Sequence, residues 1–334
     1  MKLVTFEFIC EMGRIQRLGA VVGKYVVDLN FAYISLLFED ENPRAYEIAN
    51  AEIPDNMMEF LKAGSDSMEL AKDVLKTFRS EGKLKPSLRG PNEEKIVWKM
   101  SEVILRSPLP KPNSLRDFFS FEAHVRKGYE RRNQEFPQLW YEIPVYYKGN
   151  HNSIIGPNQI VHWPSFTEKF DYELELACII GKAGKNIPVE KADEYIAGYC
   201  ILNDFSARDI QMKEVQLRLG PAKGKDFATG LGPWLVTPDE VGDIRNLTMT
   251  AKVNGEEWSR GNSGDSHWTF EQMIAYVSQD EMLYPGDILG SGTVGGGCGY
   301  ELDRWVKPND IIELEITNLG VLKNKIVSLK TTDD

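Results

Sequence analysis

The stretch Phe170-Asp-Tyr-Glu-Leu-Glu-Leu-Ala-Cys-Ile-Ile180 alternates large apolar and acidic side chains, which is the period of a β-strand. Successive strand side chains point to opposite faces, so Phe170, Tyr172, Leu174 and Leu176 line one face. Asp171, Glu173 and Glu175 line the other. Same-face neighbours stand only ~7 Å apart, so three carboxylates repel one another unless water or a cation screens them. A divalent-metal site is one use for such a face, and a solvated strand surface is the other. Ile312-Glu313-Leu-Glu315-Ile316 repeats the alternation beside a turn at Asn318-Leu-Gly320, with no candidate ligand nearby, so Glu313 and Glu315 are read as solvated.

Around this stretch the chain reads mostly as strands and turns. Ile143–Tyr147, Pro233–Val236, Met249–Val253 and Ile311–Ile316 are further strand-like runs. Tyr284-Pro-Gly-Asp287 and Lys307-Pro-Asn-Asp310 place proline where a turn wants it. Strands and helices do not alternate as in a doubly wound sheet, and no internal repeat appears. The fold class is therefore α+β, with a strand-rich C-terminal domain.

Towards the N-terminus, residues 1–29 read as short strands broken at Gly13, Gly19 and Gly23. Met57, Met58, Phe60 and Leu61, then Met68, Leu70, Leu75 and Phe78, recur at helical spacing, which makes 31–80 a helical insert in a smaller N-terminal β domain. Ser107-Pro-Leu-Pro-Lys-Pro-Asn113 suits neither a helix nor a central strand. The boundary falls there, giving domains 1–110 and 114–334. Ser114 followed by Asp117 reads as a helix start.

The 334 residues, with 42% hydrophobic and 27% charged, suit a folded protein of two domains. Lys and Arg number 39 against 50 Asp and Glu, a net charge of −11, which argues against binding nucleic acid. Glu7 interrupts the first apolar run, and no apolar run approaches the ~20 residues that span a bilayer. A soluble, cytoplasmic protein without a membrane partner is expected. Cys10, Cys178, Cys200 and Cys298 lie far apart, without metal spacing, and are expected to be plain packing residues.

Three further places carry candidate chemistry. His124 follows Asp117 by seven residues; on one helix both would share a face ~10 Å apart, a ligand and a general base. A partly buried histidine on an aromatic-rich helix is the plainer alternative. Asp204, Arg208 and Gln211 would share a helical face, with Lys225 following as a compact cation for a developing oxyanion. Charged groups on an amphipathic helix start are the alternative there. Gly290-Ser-Gly292-Thr-Val-Gly295 matches a dinucleotide pattern, but without the helix that pattern needs, so a glycine-rich active-site loop is the better account. His151, His162 and His267 are assigned no chemistry.

Asp117 through His124, Asp171-Tyr-Glu173-Leu-Glu175, Asn203-Asp204-Phe-Ser-Ala-Arg208-Asp-Ile-Gln211, Gly224-Lys225 and Ser291-Gly292-Thr293 follow the order seen in the fumarylacetoacetate hydrolase family, which this chain resembles over about 114–330. The resemblance implies a mixed β-sandwich roll and a homodimer. It implies one divalent cation per subunit, Mg²⁺ first and Ca²⁺ or Mn²⁺ next, held by Asp117, Glu173, Glu175 and Asp204; hard cations take such all-oxygen sites. Asp171 is then left to the surroundings of the ligands or to solvent. It implies His124 as the base, oriented by Glu301, with Lys225 beside the reacting groups. Arg208, Gln211, Tyr147 and Thr293 match substrate contacts. The implied reaction is hydrolysis of a C–C bond in a 2,4-dioxo acid. A 2-oxo acid hydratase, dehydratase, isomerase or decarboxylase on the same scaffold is the first alternative, and a non-catalytic metal- or ligand-binding protein the second. Where the animal hydrolase has a tyrosine two residues after its first ligand aspartate, this chain has Phe119, so the distal part of the substrate is expected to differ.

Overall fold

In the computed structural model, which describes residues 1–11 and 13–328, the Phe170–Ile180 stretch is extended in two pieces, Phe170–Asp171 and Leu174–Ile180. The second piece is buried on both faces. Leu174, Leu176, Cys178 and Ile180 enter an apolar cluster with Ile312, Leu314 and Ile316 of another sheet. Ala177 and Ile179 enter a second cluster, beneath the N-terminal helices. A strand in this middle layer has no solvated face, so any charge on it must be answered by other protein groups.

The middle layer is a 12-stranded sheet. Its central neighbours are, in order, Lys2–Cys10, Thr229–Val236, Ile196–Asp204, Leu174–Ile180, Asp287–Gly290, Ser114–Phe118 and Tyr146–Gly149. The smaller sheet has five strands, among them Thr248–Val253, Ile311–Ile316 and Gly320–Ser328. The proline turns form where expected, with Asp287 N donating to Tyr284 O (3.0 Å) and Asp310 N to Lys307 O (3.1 Å).

The N-terminal strands continue the same sheet. Lys2 and Leu3 lie opposite Val236 and Leu235, so the sheet runs without interruption across the two segments. Gly19 does not break its strand: it pairs with Val4 and Asp28, and an added Cβ would meet Val26, Phe6 and the Val27 carbonyl within 3 Å. The absence of a side chain there serves close packing instead of a turn. The helical insert comprises Leu29–Glu39, Ala45–Glu52, Met57–Ala63 and Ser65–Ser80. Asp28 and Asn56 cap the first and third by accepting from Phe31 N and Glu59 N, both at 3.0 Å. Phe60 and Phe78 are fully buried, each worth about 1.5–3 kcal/mol relative to exposure.

Ser114–Phe118 is a strand, not the start of a helix. It lies parallel to Asp287–Gly290 and antiparallel to Tyr146–Gly149, and pairing on both edges overrides the local capping pattern. The helix begins later, at Glu122, and runs to Arg131. Among the described residues no helix is long and apolar enough to cross a membrane.

Candidate active site

Three neighbouring parts of the middle sheet bring their acids together. Asp204 ends Ile196–Asp204, Glu175 lies near the start of Leu174–Ile180, and Asp117 lies on Ser114–Phe118. Each offers one oxygen within 4.8 Å of the others. Asp287–Gly290 runs between the last two strands, and Gly290 pairs with Asp117. A Cβ on Gly290 would stand 2.3 Å from Asp117 Oδ1 and 3.3 Å from Glu175 Oε2, so the missing side chain is what admits the carboxylates.

All three acids are buried. Burial pushes Asp117 and Glu175 well above the ordinary carboxylate range, and their acidic neighbours push them further. Burial also raises Asp204, against the pull of Lys225. Glu175 Oε2 and Asp204 Oδ1 have no hydrogen-bond partner among the described residues. Their other oxygens are engaged: Thr293 Oγ1 donates to Glu175 Oε1 (3.1 Å), and Tyr147 Oη and Lys225 Nζ donate to Asp204 Oδ2 (both 2.6 Å). Gly292 N donates to Asp117 Oδ1 (3.2 Å). Protein donors thus fix one side of the cluster and leave buried oxygens aimed into it.

Glu173 stands beside this cluster in a different setting. Arg208 Nη2 donates to its Oε1 (2.8 Å) and Lys225 Nζ to its Oε2. Burial raises its pKa, but Arg208 and Lys225 more than reverse that, and it is held well below the usual carboxylate range. Burial alone would lower the Lys225 ammonium; Asp204 and Glu173 outweigh it and keep the charge. Arg208 opens the helix Arg208–Gln216 and reaches Gln211 Oε1 (3.0 Å). Asp204 precedes that helix on a strand, so the three do not share a helical face; the short strand Ser206–Ala207, paired with Phe170–Asp171, lies between Asp204 and the helix. Tyr147 and Thr293, expected at the substrate, lie against Asp204 and Glu175.

The histidine is set by its own carboxylate. His124 lies in the first turn of Glu122–Arg131, and its Nδ1 is 2.6 Å from Glu301 Oε1. Glu301 sits on the single helical turn Gly299–Leu302 and also accepts from Gly296 N (2.9 Å). Its carboxyl lies below the ordinary range, because His124 and these donors outweigh burial. A carboxylate acceptor places the proton on Nδ1 and leaves the Nε2 lone pair free. Nε2 is 3.9 Å from Glu173 Oε1. Asp117 and His124 therefore come together as expected, by a strand-to-helix bend and not along one helix.

The carboxylate cluster, Glu173, Arg208, Lys225 and His124 line one cavity of about 280 Å³. Phe119 forms part of its wall and meets the His124 ring edge-on, with centroids 5.5 Å apart. Arg132 is on the wall too; its Nε donates to Gln134 Oε1 (3.0 Å), and it has no ion-pair partner among the described residues. Glu313 and Glu315 lie elsewhere, paired with Lys323 and Lys252. Arg132 was not singled out by sequence reasoning and belongs to no motif that marks it. Gly290 is marked only as the start of a glycine-rich active-site loop, and its contact with the carboxylates has no local signal. Of the two places open to Asp171, the structure gives the surroundings of the ligands: it is fully buried against Arg208.

Residues 114–327 match the family described as fumarylacetoacetate (FAA) hydrolase C-terminal, and the chain belongs to that family. Two relatives narrow the comparison. The chain is 31% identical over 277 residues to the human protein oxaloacetate tautomerase FAHD2A, mitochondrial, covering 82% of this chain and 81% of that one. It is 29% identical over 311 residues to oxaloacetate tautomerase YisK of Bacillus subtilis (strain 168), covering 89% and 97%. In fold it resembles maleylpyruvate hydrolase from Sphingobium sp. SYK-6, solved in complex with manganese (II) ion and pyruvate. The TM-score is 0.68 at 23% identity, over 98% of this chain and 99% of that one.

Proposed function

We propose that this protein is a divalent-cation-dependent enzyme that moves a proton on a 2-oxo acid carrying a second carboxylate, interconverting its keto and enol forms. The observation that carries the proposal is the His124–Glu301 pair, with His124 lining the same cavity as the buried carboxylate cluster. The names of the relatives at about 30% identity agree with it.

A hard cation fits the cluster. Its donors are all oxygens, two of them are buried without hydrogen-bond partners among the described residues, and burial together with mutual repulsion raises the acids that would hold it. Asp117, Glu175 and Asp204 would bind it. Glu173 would be the fourth donor, since an oxygen bonded to Arg208 or Lys225 keeps another lone pair. Bound there, the cation supplies Lewis-acid polarisation of the 2-oxo acid's oxygens.

The remaining chemistry belongs to the side chains. His124 Nε2 takes a proton from the carbon next to the 2-oxo carbonyl. The C–H electron pair becomes the C=C bond, and the carbonyl π pair moves to oxygen. Glu301 stabilises the imidazolium that forms, and Nε2 then returns the proton to the enolate oxygen. Arg208 and Lys225 place fixed positive charge beside that oxygen, where enolate charge develops. Arg132, without an acidic partner among the described residues, is available to the second carboxylate.

Hydrolysis of a C–C bond in an acylpyruvate-like 2,4-dioxo acid is the second reading. It is favoured by the same base, because a carboxylate-oriented histidine also deprotonates water. A homodimer is proposed with either.

The test follows the enol absorbance of oxaloacetate with Mg²⁺ or Mn²⁺, then with chelator, alongside product analysis of a simple acylpyruvate. Cation-dependent keto–enol exchange, lost by about 10²–10⁴-fold in His124→Ala with Mn²⁺ binding retained, is expected. Cleavage of the acylpyruvate without accelerated exchange would move the assignment to the hydrolase. Inactivity toward both, with Mn²⁺ bound, would leave a ligand-binding protein.

A further inference from the structure

Asp171 joins the two halves of the candidate machinery through one buried carboxylate. Its Oδ1 accepts from Tyr172 N (2.9 Å) and Gly299 N (2.8 Å). Its Oδ2 accepts from Arg208 Nε (2.8 Å) and Tyr300 N (2.9 Å). The residue is fully buried. Gly299 and Tyr300 begin the turn that carries Glu301, so both oxygens of the carboxylate hold the segment that bears the partner of His124. Oδ2 also holds the guanidinium that bonds Glu173. A Cβ on Gly299 would lie 2.6 Å from Asp171 Oδ1 and 2.2 Å from the Arg304 carbonyl, so the turn is pressed directly onto the carboxylate.

We propose that Asp171 is a positioning residue that couples Arg208 to the Glu301–His124 pair, holding the base and the substrate-side cation in one register. A buried ion pair is poor evidence of net stability, because desolvation offsets much of the attraction. Four directed hydrogen bonds, three of them from two chain segments remote from Asp171, do, however, define a geometry. Proton transfer is sensitive to that geometry, since misplacement by about 1 Å costs about 10²-fold.

The proposal rests on His124–Glu301 as the base, and its test separates the two ideas. Asp171→Asn keeps one acceptor oxygen for the backbone donors but turns an N–H₂ group towards Arg208 or the turn. Gly299→Ala presses on the same joint while leaving the ion pair's charges in place. Each variant is measured for kcat and KM, for Mn²⁺ affinity by EPR, for Tm, and for the downfield NMR resonance of the His124 Nδ1 proton. Expected are a fall in kcat of about 10- to 100-fold, loss or broadening of that resonance, and unchanged Mn²⁺ affinity. Unchanged kcat with the resonance intact would overturn the coupling, whatever happened to Tm. If Asp171→Asn does not fold, Gly299→Ala decides by the same readouts. Should wild type turn over no 2-oxo acid, the functional assignment fails, and the resonance still decides the joint.

Discussion

Glu173-Leu-Glu175 and Glu313-Leu-Glu315 share one sequence pattern and meet opposite fates. The first pair is 4% and 1% exposed. The second keeps 25% and 50% of its side-chain surface in water. Neighbouring strands make the difference. Beside Ile311–Ile316 they supply Lys252 and Lys323, at 3.2 and 3.0 Å. Beside Leu174–Ile180 they supply Asp204 and, one strand further, Asp117. Alternation tells which face a glutamate is on. What that face does is decided by chain far away in sequence, and here it decides between a surface ion pair and a reactive cluster.

The largest effect should come from breaking the buried pair. Glu175→Gln is expected to weaken Mn²⁺ binding by at least about 100-fold and, in the absence of cation, to raise Tm increasingly as pH rises above the ordinary carboxylate range, where wild type must bury a proton or a repelled charge that the amide avoids. Calorimetric titration and thermal melts check both signs. Gly290→Ala should come next: its Cβ enters the space of Asp117, lowering Mn²⁺ affinity by about 10-fold or more, with the strand's backbone intact. A third prediction concerns pH. Asp117 and Glu175 hold their protons above the ordinary carboxylate range and must release them to a cation, so affinity should rise with pH, with protons released on binding. Titration in buffers of different ionisation enthalpy reads that release.

Glu7 shows another way to bury a glutamate. Arg14, Gln16 and Arg106 all donate to it, and Arg106 foremost brings its pKa down to about 2. A carboxyl lowered on folding contributes stability above its unfolded value of 4.5, and the contribution is lost as pH falls towards about 2. Urea midpoints of Glu7→Gln should therefore lie below wild type at neutral pH and converge with it in acid. Glu315→Gln should be the smallest change, within about 0.5 kcal/mol and without effect on cation binding. A larger loss there would erase the contrast between the two pairs.

Much of this was legible from residue order. The helical insert appears in the spacing of Met57 to Phe78, and the clusters around Asp117, Glu175, Asp204 and His124 do meet in one cavity. The path between Asp117 and His124 is not legible, because Ser114 and Asp117 imitate a helix cap while the strands that make Ser114–Phe118 extended are Asp287–Gly290 and Tyr146–Gly149. The helical face expected for Asp204, Arg208 and Gln211 failed similarly: spacing alone cannot reveal that Ser206–Ala207 pairs with Phe170–Asp171 as a strand. Asp171 was legible as a strand-face acid, but its donors at 299–300 and Arg208 are set by tertiary contact. Gly19 looked like a break for the reason it is needed, its missing side chain.

The pairing of Lys2 and Leu3 with Val236 and Leu235 makes the first strands an edge guard for the rest of the molecule. Severing the chain within 107–113 and discarding the first part would strip Thr229–Val236 of a hydrogen-bonding neighbour. It would also uncover the apolar face around Ala177, Ile179 and Leu202. An exposed strand edge above a bared apolar face is a template for intermolecular sheet growth. Residues 114–334 expressed alone should therefore self-associate, although every candidate active-site residue is still present in them.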